Sequence, residues 1–175
     1  MDYIETPRLI LRDWREDDFP AFAKMNSDEN VMKYFPKTLM EEESREMFNQ
    51  IQNHFEKYGY SAYAIESKKH KTVIGFAGFH NIDFDADFTP GVEILWRLQF
   101  DKWGKGYATE AASACLRYAK VRLDFKEVYS YTTIWNKMSE NVMQKIGMNK
   151  ISEFNHPLLP EGHLLSKHVL YKINL

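Results

Sequence analysis

Gly104 and Gly106 stand between a segment typical of a β-strand, residues 91–98, and one typical of an α-helix, residues 108–119. Without Cβ atoms, the two glycines let successive backbone N–H groups point into one concavity. The helix dipole adds partial positive charge there, so a phosphate or pyrophosphate is a natural ligand. The same spacing also fits a tight strand-to-helix turn that needs glycine for its backbone alone.

Two common phosphate-binding motifs do not match this turn. A P-loop requires Lys and Ser or Thr after its last glycine, but Tyr107 and Ala108 follow Gly106. A dinucleotide-binding fingerprint requires glycine at Thr109 and an acidic residue at the end of the next strand, where residues 132–134 are Thr-Thr-Ile. Neither class of nucleotide site is therefore indicated.

The other segments alternate between strand-like and helix-like patterns. Strands are predicted at residues 6–12, 60–66, 72–80, 91–98, 128–134, 148–154 and 166–173. Helices are predicted near residues 16–25, 38–58, 108–119 and 139–146. The second helix is expected to begin at a capping box formed by Thr38 and Glu41 and to end at Gly59. This order predicts one domain, residues 1–175, of the α+β (mixed α/β) class.

Composition limits the partners of such a domain. The chain is 44% hydrophobic and 15% aromatic, which supplies a core, and its formal charge of -2 provides no general attraction for nucleic acid or anionic lipid. The single cysteine, Cys115, lies on the small-residue face of the predicted third helix and indicates packing. No secretory signal or membrane-spanning run is recognisable, so a cytoplasmic protein is expected.

No metal site is predicted. Residues 83–87 alternate carboxylates like a calcium loop, but an EF-hand requires glycine at Phe88 and glutamate at Ile94. This run is expected to be a solvated acidic loop. His156, His163 and His168 do not have a familiar metal-ligand spacing.

Residues 103–111, WGKGYATEA, closely resemble the acetyl-CoA pyrophosphate loop of the GNAT superfamily of N-acetyltransferases, especially its ribosomal-protein-alanine acetyltransferase branch. Segments 6–12, 92–94, 136–139 and 145–148 match in the same order, so the resemblance covers nearly the whole chain. Asp101 departs from the pattern, and so does Leu95-Trp96-Arg97, which replaces a more usual Gly-Tyr-Trp type of strand.

The resemblance implies a twisted, mostly antiparallel sheet of about seven strands, flanked by about four helices. A strand that ends near Leu98 would splay from the strand at 128–134 and form the acetyl-CoA cleft. The implied cosubstrate contacts are Leu98, Trp103, Gly104, Lys105, Gly106, Tyr107, Ala108, Asn136 and Ser139. The side chain of Lys105 would assist electrostatically or remain a solvated loop lysine.

The resemblance also implies catalytic roles for three residues. Glu93 would be the general base, unless it is an exposed strand carboxylate. Ser139 would protonate the leaving thiolate, unless it only starts a helix; Tyr129 or Tyr131, whichever faces the cleft, is the reserve acid. Asn136 would bind the pantetheine or a water molecule, unless it only caps the same helix.

The implied function is acetyl-CoA-dependent transfer of an acetyl group to a primary amine. The acceptor would be a protein N-terminal α-amine or a small amine such as a polyamine or amino sugar. The loops at Phe35-Pro36 and at residues 156–163 would border its pocket. A non-catalytic acyl-CoA-binding sensor or structural subunit is the alternative, and exposed aromatic strands near the C-terminus are compatible with a homodimer.

Overall fold

An open sheet of eight strands organises the computed structural model, which describes residues 1–175. The strands are β1 (Asp2–Glu5), β2 (Leu9–Arg12), β3 (Ala62–Ser67), β4 (Thr72–Asn81), β5 (Val92–Leu98), β6 (Glu127–Thr133), β7 (Asn149–Asn155) and β8 (Lys167–Asn174). Four α-helices accompany them: α1 (Phe19–Ser27), α2 (Glu41–Tyr58), α3 (Tyr107–Tyr118) and α4 (Lys137–Lys145). None of these helices is both long and apolar enough to cross a membrane.

The sheet changes character between β5 and β6. Its strand order is β1-β2-β3-β4-β5-β6-β8-β7, and every neighbouring pair is antiparallel except β5 with β6, which is parallel. β5 pairs with β4 along its whole length, but with β6 only where Glu93 lies opposite Tyr129. Beyond that pair the two strands separate. The predicted mostly antiparallel sheet and its splayed strand pair are therefore confirmed.

The predicted count of about seven strands was one too low. The strand expected over residues 6–12 is interrupted at Pro7, which cannot donate a backbone hydrogen bond. The Thr6 hydroxyl accepts a hydrogen bond from the Leu9 N–H at 2.9 Å and closes a turn, so that β1 and β2 form a hairpin. Four residues of β1 are too short a run for periodicity to identify.

Helix α2 begins at a different residue from the one predicted. The residue before its first turn is Met40, whose N–H donates to Glu43 Oε2 at 2.9 Å, so Thr38 and Glu41 do not form the capping box. Its end is as predicted, because Gly59 adopts the left-handed conformation with φ 76°. The other predicted strands and helices are present, with small shifts of their ends.

The two faces of the sheet are covered by different helices. Ile94 and Leu98 point to α3, whose Ala111 and Cys115 are fully buried against them. Small residues allow this close approach, so the packing role expected for Cys115 is confirmed. On the opposite face, α1 and α2 cover the sheet with a separate aromatic cluster. Since side chains alternate along a strand, the odd-numbered residues of β5 face the α1–α2 side.

Candidate active site

A cavity of about 700 Å³ opens where β5 and β6 separate. This is within the size range usual for small-molecule sites. All but one of the residues predicted to form the site line it: Glu93, Leu98, Trp103, Gly104, Gly106, Tyr107, Ala108, Asn136 and Ser139. Lys105 is the exception, since its ammonium donates to the Asp101 carbonyl at 2.7 Å.

The glycine turn presents free backbone donors to this cavity. Gly104 and Gly106 have positive φ angles of 69° and 78°, which L-residues with side chains adopt only with strain. The N–H groups of Gly104, Lys105 and Gly106 donate to no backbone carbonyl. The first N–H groups of α3, which begins at Tyr107, lack intrahelical partners in the same way. The turn therefore offers a row of donors and a helix N-terminus to one anion.

A half-buried carboxylate fixes this turn against the N-terminal hairpin. Glu110 accepts hydrogen bonds from the Thr6 hydroxyl at 2.7 Å, from the Arg8 N–H at 3.0 Å and from Arg8 Nε at 2.5 Å. Arg8 also donates to the Lys105 carbonyl at 2.9 Å. Burial by itself would raise the pKa of Glu110, but the hydrogen bonds from Thr6 and Arg8 hold it below its usual value.

Replacing Glu110 with alanine is expected to lower the free energy of unfolding by about 1–3 kcal/mol, because the Thr6 hydroxyl and the Arg8 N–H lose their acceptor. Urea denaturation at neutral pH measures the loss. The depressed pKa means that wild-type Glu110 stabilises the fold above its unfolded pKa, and that this contribution disappears as the pH falls through the folded pKa. An equal urea midpoint for both proteins at neutral pH would contradict this role.

The carboxyl group of Glu93 lies at the point where the strands separate. Glu93 is half-buried, and it lines the cavity. Burial raises its pKa to about 8; interaction with the Tyr131 hydroxyl lowers it in part, and the nearby charge of Asp83 raises it further. Glu93 is therefore not the freely solvated strand carboxylate that the sequence left open.

The two strand tyrosines have different positions. Tyr131 lines the cavity beside Glu93, and burial raises its pKa above the ordinary value. Tyr129 instead donates to Glu127 Oε1 at 2.7 Å, away from the cavity. Of the two reserve acids considered from the sequence, the structure brings only Tyr131 to the site.

Asn136 and Ser139 lie together at the start of α4. Asn136 Oδ1 accepts from the Ser139 N–H at 3.2 Å, and Asn136 Nδ2 donates to the Thr132 hydroxyl at 3.2 Å. Asn136 is thus the cap of the helix, while Ser139 is its third residue. Capping does not account for the Ser139 side chain, since its hydroxyl is not the capping acceptor and the residue lines the cavity.

Arg97 is a site residue that the sequence reasoning did not select. It lines the cavity on the α1–α2 side, where its Nη1 donates to Asn26 Oδ1 at 2.7 Å and its guanidinium lies 4.4 Å from the centre of the Phe35 ring. Burial lowers its pKa to about 10, so it remains charged at neutral pH. Its departure from the strand pattern of the superfamily was the one available signal.

The comparison with known families agrees with this geometry. The family model of the acetyltransferase (GNAT) domain matches residues 8–149. The chain belongs to the GNAT family of acetyltransferases. Among curated relatives of this GNAT enzyme is the uncharacterized N-acetyltransferase YnaD of Bacillus subtilis, 29% identical over 161 residues, which are 92% of this chain and 90% of the relative.

Solved structures share the GNAT fold over the full chain. A GNAT-family acetyltransferase from Bacillus anthracis superposes with a TM-score of 0.80 at 27% identity, covering 98% of this chain and 97% of its own. RimL, a ribosomal L7/L12 alpha-N-protein acetyltransferase in complex with coenzyme A, superposes with a TM-score of 0.82 at 16% identity, covering 100% of this chain and 98% of its own. The similarity to RimL is a similarity of fold alone.

The cavity of this GNAT enzyme fits the acyl-CoA that the family uses. The free N–H groups of the glycine turn suit a pyrophosphate. Beyond the Glu93–Tyr129 pair, the edge of β5 carries backbone groups that do not pair with β6. Such an edge can bind an extended arm that contains amide groups. The coarse activity, acyl-CoA-dependent acetyl transfer, follows from the family.

Proposed function

We propose that this protein transfers an acetyl group from acetyl-CoA to a primary amine, either a protein N-terminal α-amine or a small amine. One observation carries the proposal: a single cavity joins the free N–H groups of the glycine turn to the raised-pKa carboxyl of Glu93. The first can hold the pyrophosphate, and the second can accept the proton that an amine must lose.

Glu93 would act as the general base. An alkyl ammonium titrates near ~10.4 and an α-ammonium near ~7.7–8.0, so at neutral pH the acceptor arrives mostly protonated. A cationic amine beside Glu93 favours the ionised form of the carboxyl group. When the carboxylate takes the proton of the ammonium, the lone pair of the amine nitrogen becomes free to attack. The C–N bond to the acetyl carbonyl then forms as the C–S bond breaks.

Ser139 would donate its hydroxyl proton to the departing thiolate and be reprotonated from solvent. A thiol titrates near ~8.5, so this step helps the reaction without being indispensable. The capping hydrogen bond from the Ser139 N–H to Asn136 Oδ1 fixes the start of α4 and leaves the Ser139 hydroxyl free on the cavity wall. Tyr131 is better suited to position Glu93, because it lines the same cavity and its hydroxyl lowers the pKa of Glu93.

The turn residues would bind the cosubstrate mainly through their backbone. We assign Leu98, Trp103, Gly104, Lys105, Gly106, Tyr107 and Ala108 to this role, with Lys105 contributing its N–H group rather than its ammonium. Residues 1–175 would act as one unit, which is supported by a sheet that runs from Asp2 to Asn174. Homodimer formation and a cytoplasmic location stay predictions.

Thermal unfolding with acetyl-CoA, CoA, NAD or ATP tests the cosubstrate. A ligand at a hundred times its Kd stabilises the folded state by about 2.7 kcal/mol, which corresponds to roughly 5–11 °C in Tm for a chain of this size. We expect this shift with acetyl-CoA and CoA only. A shift with NAD or ATP alone would contradict the assignment of the glycine turn.

The alternative of a non-catalytic acyl-CoA sensor is tested by thiol release. The purified protein is incubated with acetyl-CoA and, in separate reactions, peptide N-termini, polyamines and amino sugars. We expect CoA to be released with at least one class of amine and the acetylated amine to appear in equal amount by mass spectrometry. Binding of CoA without turnover of any class would favour the sensor instead.

A further inference from the structure

Arg97 holds a half-buried positive charge without a carboxylate partner. Its hydrogen bond to the neutral Asn26 side chain is its one strong polar contact, and its buried Nε has no hydrogen-bond partner. The aromatic rings of Phe35 and Phe76 lie 4.4 and 5.3 Å from the guanidinium. Removing an unpaired charge even partly from water costs free energy, and an anion bound at this cation would offset that cost.

The buried Arg12 shows what full pairing of an arginine looks like in this chain. Arg12 donates to both carboxylate oxygens of Asp18, at 2.8 and 3.0 Å, and to Glu66 at 2.8 Å. All of these partners lie within the protein, and Arg12 is away from the cavity. Arg97, in contrast, lines the cavity, and its Nη2 makes no hydrogen bond within the protein. A carboxylate from outside the protein would complete its pairing.

Arg97 and Glu93 lie on the same face of the same strand. Side chains four residues apart in a strand point to the same side, and their Cα atoms are ~13 Å apart at ~3.3 Å per residue. Both residues line the one cavity, on the side covered by α1 and α2. The wall of the acceptor side thus carries a carboxyl group at one end and a guanidinium at the other.

We propose that Arg97 binds a carboxylate of the acceptor, so that the substrate is an amine that carries an anionic carboxyl group at some distance from the reacting nitrogen. This inference rests on the proposed acetyl transfer. Guanidinium and carboxylate form two parallel, charge-assisted hydrogen bonds, which bring specificity of orientation as well as affinity. With the carboxylate held at Arg97, the amine is directed along β5 to Glu93.

The arrangement also disfavours a purely cationic acceptor. A polyamine would place its second ammonium near the half-buried guanidinium, where like charges repel. Arg97 stands where the strand pattern of the superfamily more usually has an aromatic residue. Among the possible acceptors, amino carboxylates and peptides with a free carboxylate are therefore favoured over polyamines such as spermidine.

The test compares amines that differ only in the carboxylate. A series of ω-amino carboxylates is paired with straight-chain alkylamines of equal length, and dipeptides are paired with their C-terminal amides. We expect kcat/KM to be at least about 10-fold higher for the carboxylate member of the preferred pair, a difference of about 1.4 kcal/mol. In Arg97→Gln this ratio should fall to near one. Arg97→Lys should restore part of it.

Folding and cosubstrate binding are checked in the same variants. Circular dichroism establishes that Arg97→Gln folds, and calorimetric titration measures its Kd for CoA. Arg117→Gln is the matched control, because it removes the same charge from an exposed position on α3 outside the cavity. The carboxylate preference should be unchanged in this control. A loss of CoA affinity in Arg97→Gln with an unchanged carboxylate ratio would assign Arg97 to the cosubstrate and overturn the inference.

A binding measurement separates this inference from the proposed function. Calorimetric titration of the amines into the protein saturated with CoA requires no turnover. Tighter binding of the carboxylate members in wild type, lost in Arg97→Gln, would support the inference even if no acetylated product formed. Acetylation with equal kcat/KM for both members of every pair, or with spermidine as the best acceptor, would overturn the inference and leave acetyl transfer intact.

Discussion

Glu93→Gln is expected to lower kcat by about 100- to 10,000-fold, the usual contribution of a positioned general base. Glutamine keeps the shape of the side chain but cannot accept the proton of the acceptor amine. The affinity for CoA should be nearly unchanged, because the glycine turn that would hold the pyrophosphate lies elsewhere on the cavity wall. Steady-state thiol release and calorimetric titration with CoA measure the two quantities.

The pH dependence provides a second readout for Glu93. Its pKa of about 8 means that the free enzyme carries a protonated, inactive Glu93 at lower pH, so kcat/KM should rise as the pH increases through about 8. With an alkylamine acceptor, whose ammonium titrates near ~10.4, this rise near pH 8 should be absent in Glu93→Gln. Ser139→Ala is the companion variant: kcat should fall while the rise near pH 8 remains. Unchanged turnover in Glu93→Gln would remove this residue from the mechanism.

The raised pKa of Glu93 also has a consequence for stability. Between its ordinary pKa of 4.5 and its folded value of about 8, the folded protein binds more protons than the unfolded chain. The contribution of Glu93 to the free energy of unfolding is therefore fully present below the ordinary pKa, and is lost as the pH rises through the folded one. Glu93→Gln should remove this decline, which denaturant titrations at several pH values can measure.

Gly106→Val is expected to weaken CoA binding by at least about tenfold, since a β-branched residue resists the left-handed conformation, which costs roughly 1–2 kcal/mol even for ordinary L-residues. Gly106 has φ 78° and its added Cβ would lie 3.4 Å from Arg8 Nη2. The substitution would thus disturb the row of N–H donors and the Arg8 contact together. Calorimetric titration with CoA measures the change.

Gly59→Val is the matched control for this variant. Gly59 has φ 76°, and an added Cβ would meet open space. It does not line the cavity. This substitution should lower Tm without changing the Kd for CoA. If both variants weaken CoA binding equally, general destabilisation rather than the turn would be responsible. If Gly106→Val binds CoA like wild type, the turn is not the pyrophosphate site.

Local signals identified much of the fold. Glycine at the end of α2, β-branched and aromatic residues in β3 to β5 and small residues on α3 are features of neighbouring residues in the sequence, so these elements could be predicted from them. The short β1 was not predicted because it has only four residues, and its hairpin is closed by a hydrogen bond from the Leu9 N–H to the Thr6 hydroxyl. The capping box of α2 was placed wrongly because two Glu-containing frames compete there, and the backbone path selects Met40.

Some features of the candidate site could be predicted from the sequence, and others could not. Resemblance located the turn and Glu93, but the contacts of Glu110 with Thr6 and Arg8 join residues about a hundred positions apart and have no local pattern. The pairing of Tyr131 with Glu93 depends on which side of β6 faces the cavity, which only strand register fixes. Arg97 was visible as an exception in the sequence, while its missing partner was not.

The sequence by itself determined the family, the order of strands and helices, and the residue types available for acetyl transfer, because these are written in short-range patterns and motifs. Only the tertiary structure decided which of those side chains share one cavity, which carboxyl is desolvated enough to have its pKa raised, and which cation lacks a partner. Burial and pairing are properties of distant segments packed together, and they depend on distances that a linear pattern does not contain.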